Sequence, residues 1–119
     1  MKTVLVVDDS SFMRKYIKQI LTQNDYDVIG EATNGEEAIE QYMALKPNVI
    51  TMDIAMDKIN GIEASKKILE LDPNAKIVIV SSLSQKSIII KLLESGVRDF
   101  VVKPIKEETL LKTLEYILK

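Results

Sequence analysis

Short apolar runs and longer amphipathic stretches alternate five times along the chain. The apolar runs predict strands at 3–7, 27–32, 48–52, 76–81 and 99–102, and the amphipathic stretches predict helices at 11–23, 35–45, 61–71, 85–95 and 106–118. A regular alternation of this kind is typical of a parallel sheet that carries helices on both faces. We therefore predict an α/β fold built on five parallel strands.

The handedness of the strand connections limits the possible orders of the strands. Right-handed crossovers leave only a few doubly wound arrangements for a parallel sheet of this size. The flavodoxin-like (βα)5 sandwich, with strand order 2-1-3-4-5, suits five strands, and its topological switch point lies between strands one and three. We expect residues 1–119 to form this one domain, because no linker, repeat or low-complexity segment interrupts the pattern.

Residues at the helix ends support these boundaries. Ser10 or Ser11 can cap the first helix through its hydroxyl group. Pro47 and Pro73 follow the second and third helices, where proline disfavours further helical turns. Gly96 follows the fourth helix, at the position where a left-handed glycine commonly ends one.

The composition limits the chemistry available to the chain. Its 119 residues include no cysteine and no histidine, so a bound metal ion must be held by oxygen atoms. The net charge of −2 offers no basic surface for nucleic acid, and no apolar run approaches the length of a membrane span. The first strand begins almost directly after Met1, which leaves no room for a signal peptide, so we expect a cytoplasmic protein.

Three acids follow the two strands that flank the predicted switch point. Asp8 and Asp9 end the first apolar run and Asp53 ends the third, so parallel neighbours bring the three carboxylates to one edge of the sheet. Carboxylates so close repel one another unless a cation lies between them, and a divalent cation with oxygen ligands is suitable. Strands four and five end at Ser81 and Lys103 on the same edge. Each residue alone is more often an ordinary loop residue, but together they suit a cation and a phosphoryl group.

In this arrangement the chain resembles the receiver domain of two-component response regulators, and in particular the single-domain CheY-like chemotaxis regulators. The resemblance extends over the whole chain and is carried, in order, by Asp8-Asp9, Asp53, Gly61, Ser81, Phe100 and Lys103-Pro104. It implies that Asp53 accepts a phosphoryl group from the phosphohistidine of a CheA-like histidine kinase.

The resemblance also implies a role for each neighbour of Asp53. Mg²⁺ would be bound by Asp9 directly, by Asp8 mostly through water, by the Asp53 carboxylate and by the backbone carbonyl of Ala55. Lys103 would pair with Asp53 and then with the phosphoryl group.

Further from Asp53, the resemblance implies a conformational switch. Ser81 would donate a hydrogen bond to the phosphoryl group, which lets Phe100 turn from outward to buried. The partner surface would then comprise helix four, strand five and helix five. The Lys103-Pro104 bond is cis in the family. Gly61 is interpreted structurally, as the entry to the third helix.

The chain departs from the family pattern near the phosphoacceptor. Asp57 stands where proline is usual, which is expected to loosen the loop. Ala55 and Leu83 occupy positions where many relatives carry an amide or acid that orients the hydrolytic water. Since neither side chain can form a hydrogen bond, we expect slow hydrolysis of the Asp53 phosphate unless a separate phosphatase supplies the missing groups.

The fourth helix has more apolar residues than one core-facing stripe can use. They are Ile88, Ile89, Ile90, Leu92 and Leu93. We expect Ile89 and Ile90 to be exposed and, with Phe100 and Tyr116 nearby, to form a partner surface. The alternative is a thick core helix with one exposed isoleucine.

The leading functional hypothesis is a monomeric, phosphorylation-dependent signalling switch in chemotaxis, not a turnover enzyme, that acts on a motor switch or adaptor protein. A single-domain phosphorelay intermediate is an alternative. A Mg²⁺-dependent phosphohydrolase is less well supported, because the Asp8-Asp9-Ser10 segment lacks the D-x-D spacing of such enzymes and the chain has no room for a cap. Flavin binding is disfavoured because Asp8 and Asp9 would repel the flavin phosphate and the chain has no tryptophan.

Overall fold

A parallel sheet with helices on both faces forms the molecule in the computed structural model, which describes residues 1–56 and 60–119. The strands are β1 (Lys2–Val7), β2 (Tyr26–Ala32), β3 (Val49–Asp53), β4 (Ile77–Ser81) and β5 (Asp99–Val102). The helices are α1 (Ser11–Thr22), α2 (Gly35–Leu45), α3 (Gly61–Leu71), α4 (Lys86–Glu94) and α5 (Glu107–Ile117), and a 3₁₀ turn (Leu83–Gln85) precedes α4. Each predicted boundary lies within one residue of the observed one.

The strand order β2-β1-β3-β4-β5, with every pair parallel, confirms the predicted doubly wound topology. The switch point falls between β1 and β3, where Val7 lies opposite Met52. The carboxyl ends of these two strands are therefore side by side, and the residues that follow them converge on one edge. None of the helices in the described ranges is long and apolar enough to cross a membrane.

The two faces of the sheet bury separate hydrophobic clusters. Leu5 and Val7 of β1 pack in the cluster that contains α2, α3 and α4, whereas Val4 and Val6 pack in the cluster that contains α1 and α5. This division follows from the alternation of side chains along a strand, and β1, β3 and β4 are apolar on both faces because both are covered. The sheet is thus a rigid frame for the side chains at its carboxyl edge.

Local signals fix three of the helix ends, two of them at this edge. The Ser10 hydroxyl caps α1 by accepting from the Met13 amide at 3.2 Å, as predicted. Gly96 has a φ of 114° after α4, a conformation that side chains disfavour. A Cβ atom on Gly61 would lie 2.6 Å from the Ile54 Cα atom, so only glycine lets α3 begin this close to the end of β3.

The structure corrects one prediction about α4. Ile89 is only 2% exposed and is not a surface residue, because it lies on the same helical stripe as Leu92, one turn further on, and both face the core. Ile90, one position further and about 100° around the helix, is 46% exposed. The alternative interpretation, a core helix with one exposed isoleucine, describes α4 better.

Candidate functional site

Three carboxylates meet at the carboxyl edge of β1 and β3. One carboxylate oxygen from each of Asp8, Asp9 and Asp53 lies within 4.8 Å of the others. Asp8 is 1% exposed and Asp53 is 5% exposed, while Asp9 faces solvent. The edge therefore gathers the three acids that the sequence predicted, and two of them are buried.

Lys103 joins the two buried acids. Its Nζ atom lies 3.3 Å from Asp8 Oδ2 and 3.5 Å from Asp53 Oδ1. The sequence hypothesis paired Lys103 with Asp53 alone, whereas the structure brings it to both carboxylates. Lys103 follows β5, its backbone amide donates to the Ser81 carbonyl at 2.8 Å, and its peptide bond to Pro104 is cis. One positive charge thus faces three negative charges.

The pKa of Asp53 is raised above its ordinary value by this environment. Burial is the largest cause and repulsion by Asp8 the next, while Lys103 and a hydrogen bond from the Ala55 amide at 3.3 Å oppose them. Asp9 raises the pKa further. The ionised Asp53 carboxylate is therefore unfavourable here unless another cation joins the site.

A polar cluster fixes the loop that carries Asp8 and Asp9. The Ser10 amide donates to Asp8 Oδ1 at 2.9 Å, and Arg14 Nη1 donates to the Asp8 carbonyl at 2.8 Å. Arg14 is held by Glu31, whose carboxylate also accepts from Lys18 at 2.7 Å. The Lys18 hydrogen bond is the largest cause of the lowered pKa of Glu31, and Arg14 adds to it. Arg14 was not singled out from the sequence, since nothing in the pattern shows that it reaches back to the strand end.

Ser81 ends β4 next to the acids and is 1% exposed. Its hydroxyl group donates to the side-chain Oε1 of Gln85 and lies 3.4 Å from the Ser82 carbonyl oxygen. Sequence reasoning missed Gln85. The only signal was its position four residues after Ser81, which is a common distance and gives no direction for the side chain.

The other predicted site residues are distributed around the edge. Ala55 lies two residues after the end of β3, where its amide donates to Asp53 Oδ1. Asp57 lies outside the described residues, as does the side chain of Leu83. Phe100 is half-buried in β5, and Tyr116 of α5 is 72% exposed. Their switch and partner roles stay predictions, and the structure excludes only Ile89 from the exposed surface.

An apolar surface lies beside the carboxylate edge. Phe12 of α1 is 74% exposed and borders a cavity of about 230 Å³ that Lys103 and Pro104 also line. Tyr16 donates to the Ile105 carbonyl at 3.0 Å and so joins α1 to the segment after β5. An exposed aromatic ring therefore lies beside the cavity that Lys103 lines, a feature that helical periodicity alone does not reveal.

The family model of the response regulator receiver domain matches residues 4–115 of the chain. The chain therefore belongs to the response regulator receiver domain family. Receiver domains bind Mg²⁺ at an acidic pocket, and Asp8, Asp9 and Asp53 form an acidic cluster in this chain.

Two relatives and one crystal structure are similar to nearly the whole chain. The chain is 47% identical to chemotaxis protein CheY of Thermotoga maritima over 118 residues, which cover 99% of this chain and 98% of that one. It is 40% identical to chemotaxis protein CheY of Bacillus subtilis over 115 residues, with 97% and 96% covered. The crystal structure of a CheX–CheY complex with BeF₃ and Mg²⁺ from Borrelia burgdorferi superposes with a TM-score of 0.95 at 32% identity and covers 99% of this chain and 90% of that one.

Proposed function

We propose that the chain is a phosphorylation-dependent signalling switch whose phosphoacceptor is Asp53. The observation that supports this proposal best is the buried Asp53 carboxylate between Asp8 and Lys103, at the topological switch point of the sheet. Buried acids with perturbed pKa values at such a point are typical of functional sites. Structural ion pairs also perturb pKa values, but they do not require three acids around one lysine.

The donor atoms fit a magnesium ion. The cluster offers oxygen ligands only, and Mg²⁺ prefers few carboxylates together with water and phosphate oxygens. Asp8, Asp9, Asp53 and the backbone carbonyl of Ala55 would hold the ion. When bound, Mg²⁺ offsets the excess negative charge of the acids and of the incoming phosphoryl group.

The chain's own residues then carry out a nucleophilic displacement. A carboxylate oxygen of Asp53 forms a bond to the phosphorus of a donor phosphohistidine. The phosphorus–nitrogen bond breaks, and its electron pair stays on the imidazole nitrogen of the donor. Lys103 Nζ, 3.5 Å from Asp53 Oδ1, can neutralise the phosphoryl oxygens, and the Ser81 hydroxyl group can donate to one of them.

Phosphorylation adds about −1.5 to −2 units of charge beside Lys103 and Ser81. We infer that this change biases a two-state arrangement of α4 and β5, and that Phe100, Ile90 and Tyr116 belong to the surface that a partner recognises. To change the ratio of the two states from 1:99 to 99:1, phosphorylation would have to favour one state by roughly 5.5 kcal/mol, so a partial shift in population is expected.

The partners belong to the same proposal. Because relatives that share 40% to 47% of the sequence are chemotaxis proteins, we propose a CheA-like histidine kinase as donor and a motor switch or adaptor protein as target. The Borrelia CheY was solved in complex with CheX, so a second protein engages a CheY of this fold. A separate phosphatase fits the apolar Ala55 and Leu83 positions, which cannot orient a hydrolytic water. The cytoplasmic location also stays a prediction.

A single experiment tests the phosphoacceptor directly. The purified protein is incubated with acetyl phosphate with and without Mg²⁺, and its intact mass is measured beside that of Asp53→Asn. Gain of one phosphoryl group that requires both Mg²⁺ and Asp53 is expected. No gain by a wild-type protein with a cooperative unfolding transition would contradict the proposal.

A further inference from the structure

The Ser81 hydroxyl group is already used in this structure. Ser81 is 1% exposed, and its hydroxyl group donates to Gln85 Oε1. A serine hydroxyl has a single proton to donate, and phosphoryl oxygens at neutral pH are acceptors. Ser81 therefore cannot donate to Gln85 and to a phosphoryl group on Asp53 at the same time.

Gln85 is placed so that it affects both the site and α4. It is the residue before α4, at the N-cap position, yet its side chain forms no capping hydrogen bond with that helix. Its backbone amide donates to the Ser82 carbonyl at 3.2 Å and fixes it to the turn that follows β4. The Gln85 side chain thus contributes its hydrogen-bonding capacity to Ser81 and not to the start of α4.

We propose that Gln85 is a positioning residue that competes with the phosphoryl group for the Ser81 hydroxyl proton and so stabilises the unphosphorylated state. This inference rests on the proposed phosphoacceptor function. When Ser81 donates to the phosphoryl group, Gln85 loses its hydrogen bond, and the first turn of α4 loses its side-chain attachment to β4. The competition couples the chemistry at Asp53 to the helix that carries Ile90.

The chain offers two substitutions at Gln85 with opposite expected effects. Gln85→Met keeps the length of the side chain and removes the strong acceptor, so the competitor that remains for the Ser81 hydroxyl proton is the more distant Ser82 carbonyl oxygen at 3.4 Å. Gln85→Glu keeps an acceptor and adds a negative charge, so it holds the proton more firmly. Gln19→Met is the matched control, because Gln19 is exposed on α1, away from the site.

Beryllofluoride with Mg²⁺ serves as the probe, because it imitates a phosphoryl group on a carboxylate without being hydrolysed. Its dissociation constant is measured by calorimetry for each variant. Gln85→Met should bind beryllofluoride about fivefold more tightly than wild type, because one net hydrogen bond corresponds to about a fivefold change in the dissociation constant. Gln85→Glu should bind beryllofluoride more weakly than wild type. Gln19→Met should bind like wild type.

A double-mutant cycle separates competition from general loosening of α4. In a Ser81→Ala background the hydroxyl group is gone, so Gln85→Met should no longer improve binding. An equal gain in that background, or no gain from Gln85→Met in the wild-type background, overturns the inference. If Gln85→Met fails to fold, Gln85→Glu alone decides, and unchanged or tighter binding by it overturns the inference. If the wild type binds no beryllofluoride and gains no phosphoryl group, the proposed function fails as well. If the wild type binds beryllofluoride and only the Gln85 effects are absent, the proposed function stands.

Discussion

Replacing Asp53 by asparagine should stabilise the protein in the absence of Mg²⁺, although it removes an ion-pair partner. Lys103 Nζ lies 3.5 Å from Asp53 Oδ1, which at an effective dielectric constant of 20 corresponds to about 5 kcal/mol of attraction. An Asp8 oxygen lies within 4.8 Å of an Asp53 oxygen, which corresponds to at least about 3.5 kcal/mol of repulsion. Asp9 faces solvent and adds a smaller repulsion. The two repulsions thus roughly cancel the attraction, and the unfavourable burial of the charge, which is the largest cause of the raised pKa of Asp53, makes the ionised carboxylate destabilising.

The raised pKa of Asp53 sets the pH range in which this gain in stability should develop. The pKa of Asp53 is raised in the folded protein, mainly by burial and by Asp8. The stability that Asp53 contributes is therefore fully present below the ordinary aspartate pKa of 3.8 and is lost as the pH rises through the raised value. The free energy of unfolding of Asp53→Asn should exceed that of wild type only slightly at low pH. The difference should reach about 1–2 kcal/mol at pH 7 and low salt, since solvent reduces the Coulomb energies.

Thermal and urea unfolding at several pH values measure this difference. A gain of 1 kcal/mol raises the melting temperature of a domain of this size by about 4 °C. Asp27→Asn, on the exposed surface of β2, is the control and should change stability little. Mg²⁺ should stabilise the wild type more than Asp53→Asn and so reduce the gap. An Asp53→Asn variant that is less stable than wild type at pH 7 without Mg²⁺ would show that attraction to Lys103 dominates and would contradict the expected gain.

Four further substitutions test other parts of the structure. Ala55→Asn should shorten the lifetime of the Asp53 phosphate by up to about tenfold, the effect of one hydrogen bond to the hydrolytic water, as followed by intact mass; an unchanged lifetime contradicts the argument from the apolar positions. Tyr42→Phe removes a 2.7 Å hydrogen bond from Tyr42 to Asp72 and should lower the free energy of unfolding by about 1 kcal/mol in urea titrations; no loss would mean that water replaces the bond. Ile90→Glu should weaken binding of the phosphorylated protein to its partner without changing the melting temperature, whereas Ile89→Glu buries a charge and should destabilise the domain by several kcal/mol; equal melting temperatures would contradict the assigned orientation of α4.

The topology and the acid cluster could be predicted from the sequence because both depend on positions in the chain. Alternating apolar runs define the strands, crossover handedness restricts their order, and acids at two strand ends then meet at the switch point. The orientation of α4 could not be predicted in the same way. Five of the six residues from Ile88 to Leu93 are apolar, so hydrophobicity does not determine which of them faces the sheet.

Hydrogen bonds that polar side chains form across loops could not be predicted from the sequence either. Arg14 reaches the carbonyl of Asp8, and Gln85 accepts from Ser81, through side-chain conformations that no spacing rule specifies. Both residues are of types that usually lie in solvent, and their sequence neighbourhoods are those of ordinary helix starts. Parallel strands fixed which residues gather at the edge, whereas three-dimensional packing decided how their hydrogen bonds are distributed.

The charge balance at the edge implies that cation binding and phosphorylation depend on each other. Asp8, Asp9 and Asp53 carry three negative charges, and among the described residues Lys103 is the one lysine or arginine in ion-pair contact with any of them. A phosphoryl group adds about −1.5 to −2 units of charge to this excess, so without a further cation the acyl phosphate would meet strong repulsion. By linkage, phosphoryl binding that is strengthened by Mg²⁺ must strengthen Mg²⁺ binding by the same factor. A modified protein that bound Mg²⁺ no more tightly than the unmodified one would show that Lys103 and Ser81 alone balance the added charge.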